Sequence, residues 1–179
     1  MMNLLMKRKA WLRAARMLAV CMIVMGAMVL LSSEAKAQCG CITKKTDSTV
    51  VVTIDNCPLT ILYDKLDCDG VETVYIKKIT FDPTGCCTRL FTDRTIAYIV
   101  QSVGQKMLLT GAGFGGTGYT GRVSKLPCWQ KSTTGLFLTP CSTSPCCWIQ
   151  GTIGNSYTST STPPIPPVSC TSPCEYVCE

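Results

Sequence analysis

The sequence predicts a small α+β protein rich in β structure, with an antiparallel sheet stapled by disulfide bonds and one amphipathic helix packed on it. Three observations carry this prediction. The chain has 14 cysteines, residues 38–179 contain 23 threonines but only two alanines, and a single segment shows helical periodicity. Threonine favours strands and alanine favours helices. A cysteine content this high in a short chain is typical of a disulfide scaffold.

The first 37 residues have the features of an export signal. Residues 1–16 contain five basic residues and no acidic one, and an uncharged apolar run extends from Met17 to Leu31. Ala35 and Ala37 then occupy the small-residue positions that a signal peptidase needs. The apolar run is shorter than the roughly 20 residues of a membrane-spanning helix. We therefore predict cleavage after Ala37, no membrane association afterwards, and a secreted or periplasmic location in a bacterium, including display at its surface.

Composition and charge exclude several classes of protein. The chain has no histidine, which rules out a Ser-His-Asp triad and a His-ligated zinc site. Loss of residues 1–37 lowers the formal net charge from +6 to +1, which leaves no clustered positive charge for binding nucleic acid. The ten remaining acidic residues form no specific carboxylate pair for hydrolysis. We expect no enzymatic activity and no cofactor.

The first three predicted strands are a single strand followed by the two strands of a hairpin. Ser48–Ile54 is dense in β-branched residues, and the segments 59–68 and 71–81 lie on either side of Asp69-Gly70. Asp-Gly between two β-rich segments is a strong hairpin signal, because both turn positions need a positive φ. The sequence therefore predicts a β-hairpin with its turn at these two residues.

One helix is predicted over Thr92–Leu109, where apolar residues recur at helical spacing. Thr92 or Asp93 can cap its start, and Gly111 is placed where a helix usually ends. Gly104 lowers the intrinsic helix propensity. We expect the apolar stripe to lie against the sheet; its members are Ile96, Ile99, Val100, Val103, Met107 and Leu108.

The segment after the helix, Gly111–Gly121, contains six glycines and is predicted to be a mobile loop. Gly111, Gly113 and Gly116 match the pattern GxGxxG. A dinucleotide site needs a strand before that pattern and a helix after it, whereas here a helix precedes it and none follows. We therefore interpret the glycines as a surface loop. Three short strands are predicted beyond it: Arg122–Trp129, Leu136–Thr139 and Cys147–Ile153.

The domain organisation follows from composition. Residues 38–154 form the predicted disulfide-rich domain, and residues 155–179 form a Ser/Thr/Pro-rich spacer with a cysteine-containing C-terminal tail. Asn155–Ser169 is of low complexity and rich in proline, which favours an extended, polyproline-like conformation. We expect the tail, with Cys170, Cys174 and Cys178, to be held away from the domain.

Thirteen cysteines follow the predicted cleavage site, so at most six intrachain bridges can form and one thiol is left over. Spacing does not define the pairing. Adjacent cysteines rarely bridge to each other, so each adjacent pair is expected to join a strand to two different elements. The similar segments 127–130 and 145–150 predict two facing strands, each with a Trp beside a bridge. The disulfide candidates are Cys39, Cys41, Cys57, Cys68, Cys86, Cys87, Cys128, Cys141, Cys146, Cys147, Cys170, Cys174 and Cys178.

An acidic cluster surrounds the predicted hairpin turn: Asp64, Asp67, Asp69 and Glu72. Its spacing matches part of a calcium-binding loop, but Lys65 occupies the first ligand position. Asp67 and Glu72 would face each other, which is unfavourable without a counter-charge and keeps calcium open as an alternative. We interpret the cluster as a solvated turn.

The three terminal cysteines could also place thiolates on one helical face as metal ligands. Structural zinc sites favour CxxC spacings, and a thioredoxin-like site needs the same motif. The chain contains no CxxC. We therefore predict disulfides here and no metal site.

These observations lead to one functional expectation and one alternative. We expect an exported, cysteine-rich structural or cell-surface protein without catalytic activity, which associates with copies of itself or with another extracellular protein. The alternative is a secreted binding or adhesion module that presents Gly111–Gly121 with Tyr119, Trp129 or Trp148 to a glycan or protein. A metal or redox protein is the weaker alternative.

Overall fold

The computed structural model describes residues 41–83, 85–142, 146–155, 160–162 and 168–178. The predicted signal peptide and Cys39 lie outside these residues. Within the described residues, no helix is both long and apolar enough to span a membrane.

The described residues form nine strands and two helices. The strands are β1 (Ile42–Ile54), β2 (Cys57–Cys68), β3 (Val71–Phe81), β4 (Thr120–Lys125), β5 (Cys128–Lys131), β6 (Phe137–Pro140), β7 (Cys147–Thr152), β8 (Thr160–Thr162) and β9 (Glu175–Tyr176). The helices, both between β3 and β4, are α1 (Gly85–Asp93) and α2 (Ile96–Thr110).

The strands form one mostly antiparallel sheet that branches at β3. β1, β2 and β3 are consecutive antiparallel neighbours. On its other side, β3 pairs in parallel with β4 over Glu72–Tyr75 and antiparallel with β6 over Ile79–Thr80. One branch continues from β4 to β7 and β8, and the other from β6 to β5 and β9. The prediction of a small, β-rich α+β fold is confirmed.

Two tight turns connect the first three strands. Asp69 and Gly70 have φ values of 55° and 78°, so the predicted hairpin turn is confirmed. Asp55 and Asn56 connect β1 and β2 in the same way, with φ values of 47° and 63°. Asp and Asn tolerate this conformation better than other non-glycine residues. The second turn was not predicted from the sequence.

The predicted single helix is two helices. Thr92 and Asp93 belong to α1, and α2 begins only at Ile96. Thr95 caps α2: its backbone is extended and its hydroxyl accepts a hydrogen bond from the Tyr98 amide at 3.1 Å. The predicted end is confirmed, because Gly111 adopts a left-handed conformation with φ 72°. The residues of the predicted apolar stripe are all buried.

Gly104 is buried at the contact between α2 and the sheet. A Cβ atom built on it would lie 2.8 Å from Cδ1 of Ile149 in β7 and 3.5 Å from Cγ1 of Val123 in β4. The glycine that lowers helix propensity therefore lets the helix approach these two strands closely.

The sheet has a main core on the helix side and a smaller cluster elsewhere. The main core includes Val123 and Ile149 from the sheet and the buried stripe of α2. Because successive strand residues point to opposite faces, the neighbours of these two residues lie on the other face. The smaller cluster consists of Leu66, Cys68, Tyr75 and Leu126, with Cys41 and Cys146 packed against it.

The strand predicted over Arg122–Trp129 is two strands, β4 and β5, which belong to different branches of the sheet. β5 pairs with β6 and β9, whereas β7 pairs with β4 and β8. The prediction that the two similar Pro-Cys-Trp segments face each other is therefore wrong. The prediction that each carries a Trp beside a bridge is correct, since Cys128 and Cys147 are both disulfide-bonded.

Candidate functional site

The C-terminal segment is bonded to the domain by three disulfides. Cys170 pairs with Cys128, Cys174 with Cys141, and Cys178 with Cys147. The amide of Val177 also donates to the carbonyl of Pro127 at 2.9 Å. The prediction of a tail held away from the domain is therefore wrong. Part of the predicted spacer is also ordered, since β8 pairs with β7.

Two further bridges join the first strands. Cys41 pairs with Cys68 at the open end of the β1–β2 hairpin, and Cys57 joins β2 to Cys87 in α1. All eleven cysteine side chains that the structure describes are disulfide-bonded, including Cys146. Cys39 and the side chain of Cys86 lie outside the described part, so the predicted odd thiol stays a prediction.

The terminal cysteines do not form a thiolate cluster, because each is bonded to a different partner. Among the described residues, no group of three or more Cys, Asp or Glu is arranged to hold a metal ion.

The glycine-rich segment is fastened to the hairpin rather than hanging free. Glu72 accepts hydrogen bonds from the amide of Gly115 at 3.1 Å and from the hydroxyl of Tyr119. The amide of Gly118 donates to the carbonyl of Ile153, and the amide of Ile153 donates to the carbonyl of Tyr119. These contacts anchor the segment at several points, while its predicted mobility stays a prediction. Helix α2 precedes the glycines and β4 follows them, the reverse of a dinucleotide site.

The opposed carboxylates of the hairpin have counter-charges. Asp67 lies opposite Glu72 as predicted. A salt bridge of 2.6 Å with Lys44 lowers the pKa of Asp67, assisted by the Gly70 amide. Burial opposes the ionisation of Glu72, but hydrogen bonds from Tyr119 and Lys65 outweigh it and lower the pKa. Lysines therefore relieve the repulsion that had kept a calcium site open as an alternative.

The candidate ligand-binding aromatic residues are in different environments. Trp129 has no exposed surface, and its indole N–H donates to the carbonyl of Leu126 at 2.8 Å. Tyr119 is bound to Glu72. Trp148 is half-buried, and the guanidinium carbon of Arg122 lies 5.5 Å from its ring centroid. Tyr119 and Trp148 are both half-buried, so each keeps some exposed surface, whereas Trp129 has none.

β1 is an edge strand in the described sheet, because it pairs with β2 alone. Its second half alternates: Val52 and Ile54 are buried on the helix side, whereas Thr49, Val51 and Thr53 are exposed. Val51 is 60% exposed, although valine prefers a covered position. We call Thr49–Ile54 the β1 edge. It contains no charged residue, proline or irregularity in its pairing.

The first half of β1 is different. Lys44 and Lys45 lie there, and the pairing with β2 shifts register on both sides of Lys45. Asp47 has a positive φ of 50°. Charges and bulges of this kind prevent an edge strand from pairing with another chain. The absence of such features from the β1 edge makes it the candidate interaction site of the molecule.

The sheet also buries a lysine that sequence reasoning did not single out. Lys125 has no exposed surface, and its ammonium donates to Oε1 of Gln101 in α2 at 2.5 Å. Burial lowers the pKa of Lys125 to about 8. The alternation of β4 indicates this placement, because Val123 and Lys125 lie on the same face.

Comparison with protein-family models, curated proteins and solved structures found no match to this chain.

Proposed function

We propose that this chain is an exported structural protein, built for an oxidising compartment, that associates with copies of itself through the β1 edge. The observation that carries the proposal is the uncharged, regular edge at Thr49–Ile54, with Val51 60% exposed. The five disulfides whose two cysteines are both described tie the N-terminal hairpin, α1 and the C-terminal segment, and they are compatible with an extracellular setting.

The sequence of the β1 edge suits pairing with itself. In an antiparallel pair centred on Val51, Thr49 of one copy faces Thr53 of the other, and Val50 faces Val52. Cross-strand Thr–Thr and β-branched pairs stabilise a sheet. This pairing uses the backbone groups of the edge that have no strand partner among the described residues, so self-association requires no spare thiol.

The charges at the ends of this arrangement are compensated. The same register places Asp47 of one copy opposite Asp55 of the other. Lys77 lies 2.7 Å from Asp47, and Arg94 lies 3.6 Å from Asp55. Each of these two described carboxylates therefore has a cation beside it that offsets their mutual repulsion.

Sedimentation equilibrium of the oxidised protein over a range of concentrations tests the proposal. We expect a reversible dimer or larger assembly that Val51→Lys converts to a monomer, since a charge on the exposed edge blocks pairing. Leu109→Lys is the matched control, because Leu109 is an exposed apolar residue of α2; it should leave the assembly intact. A wild-type protein that stays monomeric at every concentration would overturn the proposal.

The second candidate is a binding module for a glycan or protein ligand. The half-buried Trp148 beside Arg122 favours it. A binding module keeps its ligand after Val51→Lys, whereas a structural protein loses its assembly.

A further inference from the structure

A small cleft lies across β3, β4 and β7, on the face of the sheet opposite α2. Arg122, Ser124 and Trp148 are the strand neighbours of Val123 and Ile149, which face the helix. The cleft has a volume of about 80 Å³ and is completed by Cys41, Cys68, Asp69 and Thr73. Ligand cavities for drug-sized molecules are several times larger, so this one suits a very small molecule.

Arg122 is held in a fixed position in the cleft. Its Nε donates to Oε1 of Gln150 at 2.6 Å, and its guanidinium carbon lies 5.5 Å from the Trp148 ring centroid. Among the described residues, no salt bridge joins a carboxylate to Arg122, whereas Lys44 and Lys65 each have an acidic partner. An oriented guanidinium of this kind suits a carboxylate, because its two terminal N–H₂ groups match the two oxygens.

Two further lining residues, Asp69 and Thr73, offer hydrogen-bond acceptors, and Thr73 is the register partner of Arg122 on the neighbouring strand. Asp69, an exposed residue of the hairpin turn, lines the cleft and carries a carboxylate. Thr73 is buried, and its hydroxyl donates to the carbonyl of Val71 at 3.1 Å, so its oxygen is left to accept. A ligand that bonds to these two residues must carry hydrogen-bond donors, and a donor with positive charge complements Asp69.

From this juxtaposition we propose that the cleft binds a free α-amino acid of the size of glycine or alanine, with its carboxylate on Arg122 and its ammonium towards Asp69 and Thr73. Arg122 and Asp69 both line the cleft, and their charges are opposite to those of the carboxylate and the ammonium of the zwitterion. The small volume excludes long side chains. The site is separate from the β1 edge and does not depend on self-association.

Titration calorimetry of the oxidised protein with glycine, alanine, glycolate and acetate tests the proposal. Glycine and alanine should show saturable binding, with glycolate and acetate each at least about tenfold weaker, since they lack the charge that faces Asp69. Equal binding of acetate and glycine would overturn the zwitterion assignment. Absence of saturable binding of glycine and alanine would overturn the site.

Two variants locate the binding. Asp69→Asn keeps a residue that tolerates the positive φ of 55° and should remove the preference for glycine over acetate. Arg122→Lys keeps the positive charge but loses the pair of N–H₂ groups that matches a carboxylate. It should lower the affinity for glycine about tenfold. The matched control is Arg89→Lys, in α1 away from the cleft, which should bind as wild type does. Unchanged glycine binding by both cleft variants, with unaltered thermal unfolding, would contradict the proposal.

Discussion

The carboxylate of Glu175 accepts a hydrogen bond from the backbone amide of Ala97, with 3.0 Å between Oε1 and N. Ala97 lies in the first turn of α2, where amides have no partner within the helix. The hydroxyl of Thr95, the residue before α2, accepts a hydrogen bond from the Tyr98 amide. Glu175 binds the same turn of the helix from β9. The C-terminal segment therefore caps the central helix as well as being bonded to the domain.

Replacing Glu175 by Ala should lower the free energy of unfolding by about 1 kcal/mol, because the first turn of α2 loses an acceptor and a favourable charge. Glu175→Gln keeps an acceptor and should lose less. Urea unfolding with the disulfides intact measures both. Equal losses for the two variants would show that the charge, and not the hydrogen bond, carries the effect.

Removing two bridges of similar loop length should have unequal effects. The separations are 31 residues for Cys147–Cys178 and 33 for Cys141–Cys174. Each bridge therefore stabilises the fold by nearly the same amount, about 3–4 kcal/mol, through restricting the unfolded chain. Cys147 and Cys178 are buried, whereas Cys141 is exposed. The Ala/Ala variant of the buried pair should therefore lose more stability, because it also leaves a cavity. Thermal unfolding compares the two variants, and equal losses would contradict this reasoning.

The parts of the fold predicted correctly are those with local signals. Asp69-Gly70 forms a turn because both residues tolerate a positive φ. The apolar stripe of α2 can be predicted because its residues recur at helical spacing. The start of α2 was misplaced because both Thr92 and Thr95 are suitable caps, and the nine-residue α1 is too short for a clear periodicity.

The errors in the candidate site have a long-range origin. The composition around Asn155–Ser169 is that of a spacer, and nothing local shows that Cys178 bonds to Cys147 or that Glu175 reaches Ala97. Among the described strands β1 pairs with β2 alone, and this too is a property of the whole sheet rather than of a local segment. The residues of the β1 edge were correctly predicted as a strand, but its open side depends on which strands occupy the other positions.

Tyr119→Phe should loosen the glycine-rich segment by removing one of its hydrogen bonds to Glu72. We expect faster amide hydrogen exchange at Gly115 and its neighbours. The free energy of global unfolding should fall by about 0.5–1.5 kcal/mol. Tyr98→Phe is the matched control, because it removes a tyrosine–carboxylate hydrogen bond to Asp55 at 3.1 Å, outside this segment. Equal exchange at Gly115 in the two variants would contradict the anchoring role of Tyr119.

Lys125→Met should stabilise the protein at neutral pH. Burial lowers the pKa of Lys125 to about 8 in the folded protein, from 10.5 without burial. The unfolded chain therefore binds more protons between these values, so wild-type stability rises as the pH rises from about 8 to 10.5 and the cost of the buried charge is fully present below 8. The shift corresponds to at most about 3 kcal/mol.

Urea unfolding at pH 7 and pH 10 should show a large advantage of Lys125→Met at the lower pH and a small one at the higher. Lys106→Met, at a half-exposed position of α2, should show no such difference between the two pH values. A Lys125→Met advantage that is the same at both pH values would mean that the buried charge carries no cost and that methionine is favoured only by its uncharged packing.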